Sequence, residues 1–131
     1  MKRIAVLTLN LLLLFGLLLQ AVPANAFAYP YRANNLPIGD YKTATEYRKQ
    51  IEGPAGVDPE THTPTGVRVR YNMRKPNGTL AGNDVFKTSF TNIFYITYID
   101  GEGVLGRKYG LTARNTVGNA DTVTIAGTWR P

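Results

Sequence analysis

The chain has 131 residues, no cysteine, and 15 Lys and Arg against 9 Asp and Glu, for a formal net charge of +6. That length suits one domain and is short for two, and the lack of cysteine excludes a disulfide scaffold, a cysteine nucleophile and a zinc centre built on thiolates. Residues 1–26 carry the three zones of a secretory signal peptide: Lys2 and Arg3 as the positive start, an apolar stretch from Ala5 to Leu19, and the small-residue site Ala24-Asn25-Ala26. The apolar block approaches spanning length, yet Asn10 and Gln20 interrupt it and Pro23 precedes the cleavage site, so a retained anchor is the weaker reading. Without Lys2 and Arg3, thirteen basic residues remain against nine acidic ones, a net charge of +4 over 105 residues. The expected product is extracellular, has no transmembrane segment after cleavage, and enters an oxidising space without a disulfide. That combination is commoner among secreted bacterial proteins than among small eukaryotic ones.

Residues 27–65 hold Pro30, Pro37, Pro54, Pro59 and Pro64 and scattered tyrosines, with no sustained periodicity. They are expected to form an irregular segment packed on the domain. Thr43 to Glu52 is free of Gly and Pro and leaves room for one short helix, capped by Asp40 or Thr43, with Tyr47 and Ile51 on one face. Gly53 to Gly66, with three prolines and three glycines, reads as an extended loop.

From residue 66 to 131 the period changes to two. Val67, Val69, Tyr71 and Met73 alternate with Arg68, Arg70, Asn72 and Arg74, the pattern of a strand with one buried face. Pro76-Asn77-Gly78 and Gly82-Asn83-Asp84 are turns. Val85–Phe90 and Asn92–Ile99 are the next predicted strands, the second apolar on both faces and therefore expected to be central. Asp100 to Gly103 turns the chain, and Lys108–Asn115 and Asp121–Trp129, joined at Val117-Gly118-Asn119, form the last pair. The fold class is all-β, an antiparallel β-sandwich or barrel over 66–131.

The run Tyr109-Gly110-Leu111-Thr112-Ala113-Arg114-Asn115, followed by a Thr- and Val-rich strand ending at Trp129, resembles the last two strands of immunoglobulin-like and fibronectin-like sandwiches. The resemblance implies that Tyr109 hydrogen-bonds back across a corner of the chain. It covers some 20 residues, lacks the Cys pair and the early-strand Trp of those families, and implies no activity.

Candidate chemistry is sparse. His62 is the single histidine, and in an extended segment Asp58, Glu60 and His62 would point to one side as a ligand set or an acid–base pair. Surrounding prolines and small polar residues favour a solvated loop instead. The one serine, Ser89, has no elbow glycines around it, and the glycines at 101, 103 and 106 precede no helix that could bind a phosphate. No catalytic residue, metal site or cofactor is expected.

The strongest functional feature is charge on one strand face. Arg68, Arg70 and Arg74 project from the same side, neighbours about 7 Å apart along the strand, and Lys75 extends the group. Like charges so placed repel unless acidic groups such as Asp84, Asp100 or Asp121, or a ligand, lie opposite. Eight tyrosines offer apolar area with a polar tip, and Tyr29 and Tyr31 are candidate stacking residues beside the basic face. The expected function is therefore non-catalytic binding at the cell surface or in the medium. The partner is an anionic cell-wall polymer or polysaccharide, or a secreted protein, with nucleic acid the weakest option. The alternative is a small secreted effector, either antimicrobial or toxin-like, or an inhibitor of a secreted enzyme. Ligand, oligomeric state and strand order are left open.

Overall fold

The computed structural model describes residues 28–89, 92–117 and 122–131. The predicted leader lies outside them, as do Gly118 and Asn119 of the last predicted turn. Nine strands and no helix are found among the described residues: β1 (Tyr29–Pro37), β2 (Tyr41–Thr43), β3 (Tyr47–Arg48), β4 (Ala55–Thr63), β5 (Arg68–Arg74), β6 (Val85–Lys87), β7 (Phe94–Ile96), β8 (Lys108–Val117) and β9 (Thr122–Arg130). They form two antiparallel sheets ordered β1-β9-β4-β7 and β2-β8-β5-β6, with β3 continuing along β8 beyond β2. The inner faces of these sheets enclose one core. Val57, Ile96, Val123, Ile125 and Trp129 come from the first sheet, and Val69, Tyr71, Met73, Tyr109 and Leu111 from the second.

Apart from the β5–β6 hairpin and the short β2–β3 step, each connection passes from one sheet to the other. This is the strand order of an eight-stranded jelly roll, with β3 added. The likeness to immunoglobulin-like domains holds at the level of a two-sheet antiparallel sandwich and not in strand order. There the last two strands are neighbours in one sheet, whereas β8 and β9 here lie in different sheets. A strand–turn–strand pattern in sequence does not specify which sheet the second strand joins.

The alternation from Val67 to Arg74 is realised as β5. Val69, Tyr71 and Met73 are buried, and Arg68, Arg70 and Arg74 stand on the other face. The irregular segment expected over 27–65 is a different matter, because it supplies β1 to β4. In β1, Tyr31, Ala33 and Leu36 enter the core, but Asn35 with φ 49° and a register shift between Ala33 and Leu36 break the period. Pro30 and Pro37 are tolerated because β1 is an edge strand, where a missing N–H leaves no gap in a ladder. The predicted helix over 43–52 is replaced by β2, β3 and the chain between them, since β8 offers an open edge that pays back more backbone hydrogen bonds than two isolated helical turns.

The predicted loop 53–66 contains β4, a nine-residue strand that pairs with both β9 and β7. Pro59 fits there because β7 pairs only with Ala55, Gly56 and Val57, and the ladder to β9 shifts register between Pro59 and Thr61. Gly127 faces this shift, and a methyl group on it would strike the Asp58 carbonyl oxygen and lie 3.0 Å from Pro59 Cα. The stretch 92–99, expected to be central, yields only β7, at the edge of the first sheet. Phe94 and Ile96 point inward, while Ile93 and Tyr95 stay exposed.

Candidate functional site: a basic groove on the second sheet

Strand register assembles the site. Arg70 of β5 is directly opposite Phe86 of β6 on one side and Arg114 of β8 on the other, and Arg114 is in turn opposite Tyr41 of β2. The outer face of the second sheet thus carries a transverse row, Phe86–Arg70–Arg114–Tyr41, about 14 Å across at the usual strand spacing. The next row holds Asn72, Thr112 and Thr43. Thr43 Oγ1 and Thr112 Oγ1 are hydrogen-bonded at 3.1 Å, and Thr112 is buried, forming a polar floor. One row further, Arg74 lies opposite Gly110. A methyl on Gly110 would sit 3.1 Å from Thr43 Cγ2 and 3.3 Å from Glu46 Cγ, so the bare glycine lets the chain between β2 and β3 lay Glu46 across β8.

These elements enclose a groove of about 440 Å³, lined among others by Tyr41, Glu46, Arg70, Arg74, Lys75 and Arg114. Four cations face one carboxylate. Two of the cations are compensated from outside: Arg70 pairs with Asp84 at 3.6 Å, and Lys75 Nζ donates to Glu102 Oε1 at 2.7 Å. That bond, first among several, holds the Glu102 carboxyl below its usual range. The other two are steadied by carbonyl groups, Arg74 Nη1 donating to Gly78 O at 2.7 Å and Arg114 Nε to Gly39 O at 2.9 Å. Neither forms an ion pair among the described residues. Arg70 Nε is buried and has no hydrogen-bond partner.

The turn after β7 fixes the groove's rim. Tyr109 at the start of β8 is fully buried, and its hydroxyl accepts from Gly103 N–H at 2.9 Å and Val104 N–H at 3.0 Å and donates to Glu102 Oε2 at 3.3 Å. It therefore makes the backward corner contact that its sequence context implied. Glu102, held in this way, anchors Lys75.

The predicted basic residues divide accordingly. Arg70, Arg74 and Lys75 line the groove. Arg68 shares their strand face but is stacked over the Phe86 ring at 4.0 Å, beside the groove rather than in it. Of the acidic residues suggested to face the arginines, Asp84 does so. Tyr29 and Tyr31 are not binding residues of this face. Tyr31 is buried in the core, edge-on to Tyr71 at 6.3 Å, and Tyr29 stacks on Tyr47 at 3.5 Å beside Trp129. Both belong to the first sheet, where β1 turns their rings inward or against a neighbour. Tyr41 takes the place foreseen for them, 67 % exposed at the end of the row. Arg114 stands outward between the buried Ala113 and Asn115, a position that was not singled out from the sequence, and its pairing with Arg70 has no signal there.

Asp58, Glu60 and His62 do not converge. The register shift after Pro59 leaves Asp58 and Glu60 on the surface and turns His62 inward, where its Nε2–H donates to Val67 O at 2.8 Å. Burial lowers the imidazole pKa. Among the described residues no group of three or more His, Cys, Asp or Glu could hold a metal ion. Lys49 is also buried; it donates to Gly53 O at 2.7 Å and lies 4.8 Å from the Tyr98 ring centre, a contact that ties β3 to the start of β4. Comparison with protein-family models, curated proteins and solved structures finds no match.

Proposed function

We propose that this protein is a secreted, extracellular, non-catalytic binding domain that holds an anionic polymer of the cell surface in the basic groove of its second sheet. The observation that carries this reading is the apposition of Arg70 and Arg114 in cross-strand register, with Arg74 and Lys75 lining the same groove and Glu46 its one carboxylate. Like charges directly opposite on a sheet are destabilising. An anionic group between two guanidinium forks converts that repulsion into charge-assisted hydrogen bonds. The leader-like pattern of residues 1–26 supports secretion, and the cysteine-free composition suits a bacterial origin.

Expressed with its leader, the protein is expected in the medium with Phe27 as its first residue; intracellular accumulation of the uncleaved chain would contradict secretion. The secreted protein should co-sediment with cell walls at low ionic strength. A few hundred millimolar salt should release it, because exposed charges are screened over about 10 Å at 0.1 M. Replacing Arg70, Arg74 and Arg114 by Glu should abolish this retention while leaving the circular dichroism spectrum intact. Unchanged retention removes the groove from the explanation.

A further inference from the structure

The groove carries more than positive charge, and its remaining groups restrict the ligand. This step rests on the reading of the groove as an anion-binding site. Tyr41 is one strand away from Arg114, about 4.8 Å, and is 67 % exposed, so it presents a ring face beside the guanidinium. Phe86 at the other end of the row has one ring face stacked under Arg68 and does not line the groove, which leaves Tyr41 as the groove's aromatic platform. The floor is hydroxylic, from Thr43 and Thr112, and Glu46 places an acceptor over Gly110 in the row of Arg74.

A chain of phosphates has no use for these groups: it offers no hydroxyl to Glu46, which repels it, and no ring to Tyr41. A sugar acid uses them all. Its carboxylate suits the Arg70–Arg114 pair, its ring lies on the neighbouring tyrosine, and its hydroxyls reach the threonines and the Glu46 carboxylate. We infer that the ligand is an acidic polysaccharide, bound with the carboxylate of one sugar between Arg70 and Arg114 and the ring of that sugar or the next against Tyr41.

The test compares oligogalacturonate, inorganic polyphosphate of matched charge and a neutral glucan by titration calorimetry at one low ionic strength. The inference expects oligogalacturonate to bind most tightly. Tyr41→Ala should weaken its binding by about tenfold, the order of one aromatic contact, and leave polyphosphate binding unchanged. Tyr41→Phe, which keeps the ring, should retain most of the affinity, and unchanged polyphosphate binding by Tyr41→Ala shows that its loss is not misfolding. Equal binding of the two anions, or an oligogalacturonate affinity indifferent to Tyr41→Ala, overturns the sugar-acid assignment and leaves the basic groove standing. Binding to neither anion overturns the groove as well.

Discussion

The backward contact of Tyr109 lends itself to a quantitative test, because Tyr109→Phe removes one oxygen and leaves the ring packed 4.9 Å from Tyr98. The hydroxyl serves three partners, at 2.9, 3.0 and 3.3 Å. Each such bond contributes about 0.5–1.5 kcal/mol net, and an orphaned buried group costs more. Gly103 and Val104 lie in a partly exposed turn, so their N–H groups can recover some water on mutation, which places the expected loss near 2 kcal/mol. For a domain of this size that corresponds to a fall in Tm of roughly 8–16 °C. Urea denaturation should show a lower midpoint with an unchanged slope, since the surface exposed on unfolding is the same. Pairing Tyr109→Phe with Glu102→Gln should give a non-additive cycle, because both act on one network. A loss under about 0.5 kcal/mol would mean that water serves these N–H groups equally well and that the turn is not held by the tyrosine.

Two other outcomes follow from particular contacts. His62 is kept neutral by burial, so its pKa in the folded state lies below the ordinary 6.5. The unfolded chain then binds the extra proton first, so this contribution is intact above pH 6.5 and drains away as the pH falls below it. The urea midpoint should decline over that window in the native protein and lose this slope in His62→Gln; a flat native profile contradicts the burial argument. Among the glycines, Gly127→Ala meets backbone and should cost about 1–3 kcal/mol or more. Gly56→Ala meets the Arg130 side chain, 2.8 Å away at Nε, rather than backbone, and should cost less than Gly127→Ala. Similar midpoints for the two variants would show that β4 and β9 can separate at the register shift.

What the sequence exposed depended on whether a strand keeps its period. β5, β8 as far as Asn115, and β9 each keep one register, the shift in the β5–β8 ladder falling at its end between Arg68 and Val69, and each was legible. β1 and β4 were not, because the register shifts at Asn35 and after Pro59 reset the alternation within each strand, and proline is ordinarily a signal against a strand. The structure accommodates those prolines where pairing is one-sided, on an edge in β1 and past the end of β7 in β4. Such one-sidedness is a property of the assembled sheet. The double-faced apolar stretch at 92–99 misled in the opposite direction, since its outward residues, Ile93 and Tyr95, remain exposed on an edge strand.

The site was half legible for a related reason. A basic face on one strand can be read from period two, and Arg70, Arg74 and Lys75 are where that reading puts them. Converting the face into a groove required partners more than 20 positions away in sequence, Tyr41 and Glu46 before it and Arg114 after it, and these are brought together by the register of β2 and β5 on β8. That register also accounts for the energetic character of the site. Asp84 engages Arg70 at 3.6 Å, from the β6 side of its strand, and leaves Arg114 facing it with a carbonyl as its hydrogen-bond partner. A directly opposed like-charge pair costs a few tenths of a kcal/mol to about 1 kcal/mol, a sum the fold could recover by replacing Arg114 with threonine, which would suit the strand. Arginine there keeps two like charges in directly opposed register, and under the proposed function a bound anion would convert that repulsion into charge-assisted hydrogen bonds.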